Sequence, residues 1–261
     1  FADIEEDYFC LDPVKIEEKI SDKTRAIIAV NLFGQPADLD AIMNLAKKYN
    51  LKVIEDNAQS PGARHKGRYA GTVADIGVFS LNYHKHIQSG EGGIIVTNDE
   101  ELATRVRLIR NHAEAVVGDM GYQNPVSMLG WNYRMTEIEA AIARVQLQKL
   151  ATLNQRTIEL SNYLTQKLKP FDFLQPPQTR PGALHVYYLY IIKYDAQKTG
   201  VHRDVFLRAL NGEGYKARSY NFPVHLLPLF EDKNLYGDKG CPFSCPFYGQ
   251  EVRYGKGLCP V

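Results

Sequence analysis

Two short apolar runs separated by one helical pattern are the feature that most limits the fold of this chain. Ala26–Val30 and Leu51–Asp56 have the length and composition of buried strands. Apolar residues recur at helical spacing between Leu39 and Ala46, directly after Asp38, which is a good helix cap. A strand, helix, strand unit of this kind builds parallel sheets. The sequence therefore predicts an α/β fold with a mostly parallel sheet.

A single lysine, Lys85, lies on a loop between two further strand-like runs. Ile76–Phe79 and Ile94–Val96 are predicted to be buried strands, and the segment just after the lysine is rich in glycine. A lysine amine becomes a nucleophile only when it loses its proton, and partial burial or adjacent cations lower its pKa. His84 and His86 flank the lysine, and we expect either to add positive charge. The common alternative is a surface lysine that only contacts water.

An acidic residue, Asp56, ends the second strand at the same predicted edge of the sheet. Ligands bind at the carboxyl ends of the strands in open α/β sheets, although a loop or capping aspartate is the alternative for this position alone. Asp56 and Lys85 together match what pyridoxal phosphate requires, namely a Schiff-base lysine and a carboxylate that keeps the ring nitrogen protonated. Ser80 can donate a hydrogen bond to the phosphate, and Gln59 can bond near the ring oxygen.

Composition excludes several classes of function. The 261 residues carry 31 basic and 30 acidic side chains, so the net charge of +1 gives no reason to expect a nucleic-acid partner. No apolar run approaches the ~20 residues that cross a bilayer, and the first residues do not resemble a signal peptide. We therefore expect no membrane association and a cytoplasmic location.

The second half of the chain begins with a long helix. Thr136–Glu139 is a capping box, and the helical pattern continues towards Leu168, with or without a break. The residues predicted to face inwards are Ile138, Ala141, Ile142 and Val145. We expect residues 1–150 to form a cofactor-binding large domain and residues 151–261 to contain the linking helix and a small domain.

The small domain is predicted to be of the α+β class. Prolines near residues 176–182 indicate a linker, His185–Tyr194 reads as a strand, and Val201–Leu210 reads as a helix ended by Gly212. Ala217–Phe222 is a further candidate strand.

Four cysteines are too few for a disulfide scaffold in a chain of this size. Cys241, Cys245 and Cys259 lie near the end, but their spacing is looser than that of a zinc knuckle and no fourth ligand is close in sequence. We expect reduced thiols and no metal, and the role of these cysteines stays open.

Five sequence blocks together resemble the DegT/DnrJ/StrS family of sugar aminotransferases, and they occur in the order in which the family has them. The similarity extends through nearly the whole chain. The blocks are Glu55–Gln59, Phe79–Gly93, Val96–Glu100, Arg110–His112 and Gly130–Ile138.

The resemblance implies a type I pyridoxal phosphate enzyme fold and a homodimer whose active sites are shared between subunits. It also implies transfer of an amino group from glutamate to a keto-sugar, usually nucleotide-linked, for amino-sugar or cell-surface polysaccharide synthesis such as that of lipopolysaccharide. Carried over residue by residue, the resemblance implies that Lys85 is the Schiff-base lysine and that Asp56 is the partner of the pyridinium nitrogen. Gln59 and Ser80 are implied as further cofactor contacts, and Asn132 as a contact to the phosphate of the neighbouring subunit's cofactor. Tyr220 and His225 are implied to lie close to the substrate.

The chain departs from the family pattern in two places. The family's chains begin with a phosphate-binding segment and continue further at the end, so we expect this chain to be a fragment that lacks both parts. The cysteine-rich stretch at residues 240–248 is also absent from the general pattern.

Three alternative functions remain open, and a fourth is set aside. One is an aminotransferase for a free keto-sugar acid such as an octulosonate. A second is a deoxysugar dehydratase with the same cofactor, but such dehydratases resemble the family with histidine in place of Lys85. A third is a regulatory or binding protein on the same scaffold, which would be expected to lack Lys85 or Asp56. The fourth, a nicotinamide-dependent dehydrogenase, needs a Gly-x-Gly-x-x-Gly turn, and residues 90–93 do not have that spacing.

Overall fold

The computed structural model describes residues 1–114, 128–220, 223–233, 235, 240, 243–244 and 253–261. The helices in this part of the chain are α1 Pro13–Glu17, α2 Leu39–Lys48, α3 Glu100–Arg110, α4 Glu137–Leu168, α5 Ala196–Thr199, α6 Arg203–Gly212 and α7 Pro228–Glu231, with short 3-10 turns at Leu32–Gly34 and Val224–Leu226. The strands are β1 Ala26–Val30, β2 Lys52–Asp56, β3 Arg64–His65, β4 Arg68–Tyr69, β5 Ile76–Ser80, β6 Gly93–Val96, β7 Leu174–Gln175, β8 Ala183–Leu184 and β9 Lys193–Tyr194.

The largest sheet has the strand order β1-β2-β5-β6. β1, β2 and β5 are parallel, and β6 is antiparallel to β5. The register aligns Val30 with Asp56 and Asp56 with Val78, so the carboxyl ends of the three parallel strands meet at one edge. The predicted mostly parallel sheet is confirmed.

Helix α2 covers one face of this sheet, as its apolar pattern predicts. Its apolar side is buried, and Asp38 caps its first turn by accepting a hydrogen bond from the Ala41 N–H at 3.2 Å. The core between helix and sheet contains Ile27, Ala29, Leu39, Ile42, Leu45, Ala46 and Val53. Burial of this apolar stripe, at roughly 25 cal/mol per Å², fixes the helix against β1 and β2.

A buried carboxylate, that of Glu55, organises the carboxyl-end edge of the sheet. Glu55 is fully buried in β2. Its Oε2 accepts hydrogen bonds from Asn31 Nδ2 at 3.0 Å and from the Gly71 N–H at 2.6 Å. Its Oε1 accepts from the N–H groups of Val73 at 2.7 Å and Ala74 at 2.8 Å. Four donors therefore replace the water that a buried carboxylate loses.

Asn31 extends this network from β2 to the end of β1. Its Nδ2 also donates to Asn57 Oδ1 at 2.9 Å, and its Oδ1 accepts from the Ala37 N–H at 2.9 Å. The Ser60 hydroxyl donates to the Asn31 carbonyl at 2.7 Å. Because every one of these groups is buried, the network fixes the two segments that leave β1 and β2 relative to each other.

Strand β6 differs from its prediction. Its position and antiparallel pairing place it at the edge of the sheet, where Ile94 and Ile95 are 41% and 49% exposed instead of buried. Nothing else in the described chain covers this edge.

Helix α4 is continuous over 32 residues and begins at the predicted Thr136 capping box. It runs through residue 150, where the sequence predicts a domain boundary, and that boundary stays a prediction. Its predicted inner face is wrong, since Ile138, Ile142 and Val145 are 43–75% exposed. The helix instead packs through a stripe of small and polar residues. That buried stripe consists of Ala143, Asn154 and Ser161.

The predicted strand at residues 185–194 is mostly absent. Only its last two residues, β9, form a ladder. The preceding residues hydrogen-bond to the turn after β1, with the Val186 N–H donating to the Gly34 carbonyl at 2.8 Å and the Leu189 N–H to the Phe33 carbonyl at 3.2 Å. The segment therefore binds the turn and not a neighbouring strand.

Two boundaries near the end of the chain also differ. Helix α6 begins at Arg203, because α5 ends at the left-handed Gly200 and His202 caps α6, and Gly212 is its last residue. Residues 217–220 form no strand, and residues 221–222 lie outside the described range. None of the described helices, α4 included, is both long and apolar enough to span a bilayer.

The Glu55 network predicts a large effect on stability. We expect Glu55→Ala to lower the free energy of unfolding by about 3–5 kcal/mol, because it leaves buried donors without an acceptor. Glu101→Ala is the control, since this exposed residue forms a surface ion pair with Arg105, and its loss should cost less than about 1 kcal/mol. Urea denaturation measures both, and equal losses would contradict the structural role assigned to Glu55.

Candidate active site

The loop that carries Lys85 is closed at its base and anchored by apolar residues. The Leu81 N–H donates to the Gly92 carbonyl at 2.9 Å, and the Ser89 N–H donates to the Leu81 carbonyl at 3.0 Å. Leu81 and Ile87 are buried against α4. The loop is therefore attached both to β5 and to the long helix.

Asn82 orders the inside of the loop. Its carbonyl accepts from the Lys85 N–H at 2.9 Å, and its Nδ2 donates to Glu91 Oε1 at 2.8 Å. Its Oδ1 accepts from the His84 N–H at 3.1 Å. These bonds fix the backbone from which the Lys85 side chain extends.

Asp56 lies at the same sheet edge, within electrostatic range of Lys85. Because side chains alternate along a strand, the Asp56 carboxylate points away from the buried Glu55, and it accepts from the Ala58 N–H at 3.0 Å. Burial lowers the pKa of the Lys85 amine, and the negative charge of Asp56 partly opposes this by raising it. The structure thus brings together the two residues on which the cofactor hypothesis depends.

His86 does not supply the positive charge expected from the sequence. Burial lowers the pKa of the His86 ring, and the charge of Lys85 lowers it further. The Val186 carbonyl, 3.3 Å from Nε2, raises this pKa but does not outweigh burial. A neutral His86 adds no charge next to the lysine. His84 is exposed, with its ring centroid 3.7 Å from that of Tyr83. The lowered pKa of Lys85 therefore comes from burial.

Tyr188 is a site residue that the sequence analysis missed. Lys85 Nζ lies 4.9 Å from the centroid of its ring, within the range of a cation–π contact. The His86 ring lies 5.6 Å away on the same tyrosine. The sequence analysis assigned Tyr188 to a strand at residues 185–194 and therefore gave it no role in the site. The high tyrosine content of that segment was the one sequence feature that could have indicated such a role.

Gln59 and Tyr220 are connected through Phe33. The Phe33 N–H donates to Gln59 Oε1 at 2.9 Å, so the amide NH₂ of Gln59 is the part that can donate to a ligand. Phe33 adopts a left-handed backbone with φ of 58°, and its ring centroid lies 5.0 Å from that of Tyr220. The turn after β1 thereby links the predicted cofactor contact to the predicted substrate residue.

Ser80 is the last residue of β5, one strand away from Asp56. Its Oγ accepts from the Asn82 N–H at 3.2 Å, which leaves the hydroxyl hydrogen able to donate to an anion. This geometry is compatible with the phosphate contact predicted for Ser80.

Among the described residues, no contact joins the other two predicted site residues to this group. Asn132 is exposed and forms an isolated bridge with Asn111. His225 is buried, with its ring centroid 5.9 Å from that of Phe1.

Of the terminal cysteines, only Cys259 lies in the described part of the chain, where its thiol is free, and Cys241 and Cys245 fall outside that part. Among the described side chains no group of three potential metal ligands occurs.

A cavity of about 540 Å³ lies at the opposite edge of the sheet. It is lined by residues that precede β1 and β2, including Asp22, Arg25 and Asn50. These strands run away from the cavity towards Asp56, so the cavity does not contain the Lys85 group. Chemistry, and not cavity size, therefore identifies the candidate active site.

The sequence matches the DegT/DnrJ/EryC1/StrS aminotransferase family over residues 1–254. The chain belongs to this family. Membership agrees with the arrangement of Lys85 and Asp56 at the carboxyl ends of neighbouring parallel strands, and the resemblance inferred from the sequence is confirmed.

Individual relatives agree with this assignment. The chain is 36% identical over 234 residues to a putative L-glutamine:3-amino-2,3-dideoxy-scyllo-inosose aminotransferase of Micromonospora echinospora, covering 88% of this chain and 55% of that protein. A structure of S. venezuelae DesV with a ketimine intermediate has a TM-score of 0.79 and 33% identity, covering 87% of this chain and 59% of that one.

A third relative is a dehydratase. A structure of the E. coli GDP-4-keto-6-deoxy-D-mannose-3-dehydratase with bound hydrated PLP has a TM-score of 0.71 and 30% identity, covering 82% of this chain and 58% of that one. The chain thus spans less than two thirds of the length of these family members. The predicted α/β fold is confirmed by these structural similarities and by the similarity to the Helicobacter pylori aminotransferase PseC, which has a TM-score of 0.79 and 27% identity and covers 89% of this chain and 62% of that one.

The electrostatic contact between Asp56 and Lys85 can be tested without cofactor. We expect Asp56→Asn to lower the pKa of Lys85 further, because the charge that stabilises the ammonium form is lost. The pH dependence of labelling of Lys85 by an amine reagent, read by mass spectrometry, should shift to lower pH. Asp22→Asn, at the opposite sheet edge, is the control. Identical profiles for both variants would contradict the contact.

Proposed function

We propose that this protein is an aminotransferase that moves the amino group of glutamate to a keto-sugar with pyridoxal phosphate as its cofactor. One observation carries the proposal. Lys85 has a pKa lowered by burial and lies within electrostatic range of Asp56 at the carboxyl-end edge of the sheet. Family membership supports the same reaction.

The side chains around Lys85 have the chemistry that the cofactor needs. Lys85 provides the amine for covalent attachment, and Asp56 provides the carboxylate for the ring nitrogen. Gln59 presents an amide NH₂, and Ser80 presents a hydroxyl for the phosphate. When bound, pyridoxal phosphate supplies an electron sink for the carbanion formed at the donor's α-carbon.

Lys85 also performs the proton transfer in this proposal. With the cofactor bound, the neutral Nζ of Lys85 would accept the proton from the donor's α-carbon in the first half of the reaction and would donate a proton to the corresponding carbon of the acceptor in the second half. A pKa below that of an ordinary lysine favours this exchange. The Tyr188 ring and the Asn82 bonds hold the amine in position.

The acceptor in our proposal is a nucleotide-linked keto-sugar, and the product is an amino-sugar for cell-surface polysaccharide such as lipopolysaccharide. We further propose a cytoplasmic homodimer in which Asn132 contacts the phosphate of the partner subunit's cofactor. The exposure of Asn132 supports this role, because an exposed side chain can reach a second subunit. Exposed apolar residues on β6 and α4, such as Ile95 and Ile138, support pairing of two copies.

A dehydratase is the second candidate, favoured by the structural similarity to a GDP-sugar dehydratase. The presence of Lys85 in place of histidine favours the aminotransferase. A free keto-sugar acid such as an octulosonate stays an alternative acceptor, and a non-catalytic scaffold stays an alternative of a different class.

The proposal predicts a spectroscopic cycle. The protein with added pyridoxal phosphate should show the visible band of the lysine-bound cofactor, which glutamate should bleach and a keto-sugar should restore. Lys85→Ala should lose both responses, whereas Lys47→Ala, an exposed lysine on α2, should keep them.

Two outcomes would overturn the proposal. Absence of a lysine-bound band in the wild-type protein would favour a non-catalytic scaffold. A band that no amino donor bleaches, together with loss of water from a keto-deoxysugar, would favour the dehydratase.

A further inference from the structure

The residue that follows the reactive lysine, His86, joins the Lys85 loop to the segment that carries Tyr188. Its Nε2 lies 3.3 Å from the Val186 carbonyl. A carbonyl oxygen can only accept, so Nε2 carries the hydrogen and donates it to Val186. The His86 ring centroid also lies 5.6 Å from that of Tyr188, whose own centroid lies 4.9 Å from Lys85 Nζ. A continuous set of contacts therefore runs from His86 through Tyr188 to the lysine.

The backbone around Tyr188 adopts a costly conformation. Tyr187 has a φ of 50°, in the left-handed region that few residues other than glycine adopt. Gly34 has a φ of 107°, and a Cβ at this position would lie 2.6 Å from the backbone nitrogens of both Tyr187 and Tyr188. Only glycine therefore permits this close approach. Strain of this kind persists where the surrounding contacts fix it, and it is concentrated at functional sites.

The two nitrogens of His86 have unequal environments. Nδ1 is buried and has no hydrogen-bond partner among the residues that the structure describes. With the hydrogen on Nε2, Nδ1 is a bare acceptor, and an unpaired acceptor in the interior costs stability. Because Nε2 is occupied by Val186 and Nδ1 is covered, neither nitrogen can reach a substrate. The benefit of a histidine here therefore lies in what its Nε2–H and its ring hold in place.

We propose that His86 is a positioning residue, which holds the Tyr188 ring against Lys85 and so fixes the amine whenever it is not attached to the cofactor. This inference rests on the proposed aminotransferase function. In that reaction the same Nζ is released and must then face the donor's α-carbon, although it ends a flexible four-carbon side chain. The face of an aromatic ring attracts an ammonium group and loses that attraction when the proton leaves. Tyr188 thus gives the released amine a defined resting position.

A double-mutant cycle on the pH dependence of Lys85 labelling tests this coupling without cofactor. Tyr188→Leu keeps an apolar side chain beside the amine but removes the aromatic face, so the midpoint of labelling should shift to lower pH. His86→Met removes the donor at nearly equal side-chain length, and in this background Tyr188→Leu should cause less than about half of that shift. In His86→Gln, whose Nε2 can still donate to Val186, it should cause the full shift. Lys47, an exposed lysine on α2, is the internal standard and should label identically throughout.

Two results of the cycle would overturn the proposal. One is an equal shift in the wild-type and His86→Met backgrounds. The other is a loss of coupling in His86→Gln as large as that in His86→Met, because the effect would then come from general packing. His86→Asn, whose side chain is too short to reach the Val186 carbonyl, replaces His86→Met if circular dichroism shows that the latter does not fold.

The half-reaction with glutamate separates positioning from binding. His86→Met should form the lysine-bound cofactor band at the wild-type concentration of pyridoxal phosphate. At saturating glutamate the band should bleach roughly 10-fold more slowly, with the half-saturating concentration unchanged. A wild-type rate, or a change in the half-saturating concentration alone, would contradict the role assigned to His86. Absence of the band in the wild type would instead overturn the aminotransferase function, whereas the labelling cycle would still measure the coupling of His86 to Lys85.

Discussion

The buried carboxylate of Glu55 is the interaction on which the geometry of the candidate active site depends. A carboxylate in the interior is stable only when hydrogen bonds replace its hydration. Glu55 obtains them from Asn31 at the end of β1 and from the backbone of residues 71–74, which lead into β5. The same side chain therefore connects all three parallel strands. Because Asp56 is the next residue in β2, the same network fixes its backbone, and its side chain points to the opposite face of the sheet.

Lys85 is positioned by a different principle. Apolar residues of its loop are buried against α4, and Asn82 orders the intervening backbone. Burial disfavours the ammonium form, while Asp56 and the Tyr188 ring favour it. The result is a lysine whose pKa is lower than usual but whose ammonium form is still partly stabilised. That balance suits an amine that must alternate between covalent attachment and proton transfer.

Local sequence patterns correctly predicted the elements whose apolar faces are covered by neighbouring parts of the same chain. The β1–α2–β2 unit, the Thr136 cap and the position of Asp56 at a strand end all follow from periodicity and capping chemistry. The exposure of Ile138 and Ile94 could not be predicted from periodicity. The spacing of apolar residues shows which face of a helix or strand is apolar, but it does not show which element covers that face. Tyr188 joins the Lys85 group because its segment hydrogen-bonds to the turn after β1. Sequence spacing does not encode such a long-range contact.

The central claim is that Lys85 is the residue that holds the cofactor, and chemical trapping tests it most directly. The protein would be incubated with pyridoxal phosphate, reduced with borohydride and digested, and the modified peptide would be sequenced by mass spectrometry. We predict one stoichiometric phosphopyridoxyl group on Lys85, in the peptide that contains His84 and His86. Modification spread over surface lysines, or concentrated on any lysine other than Lys85, would contradict the account.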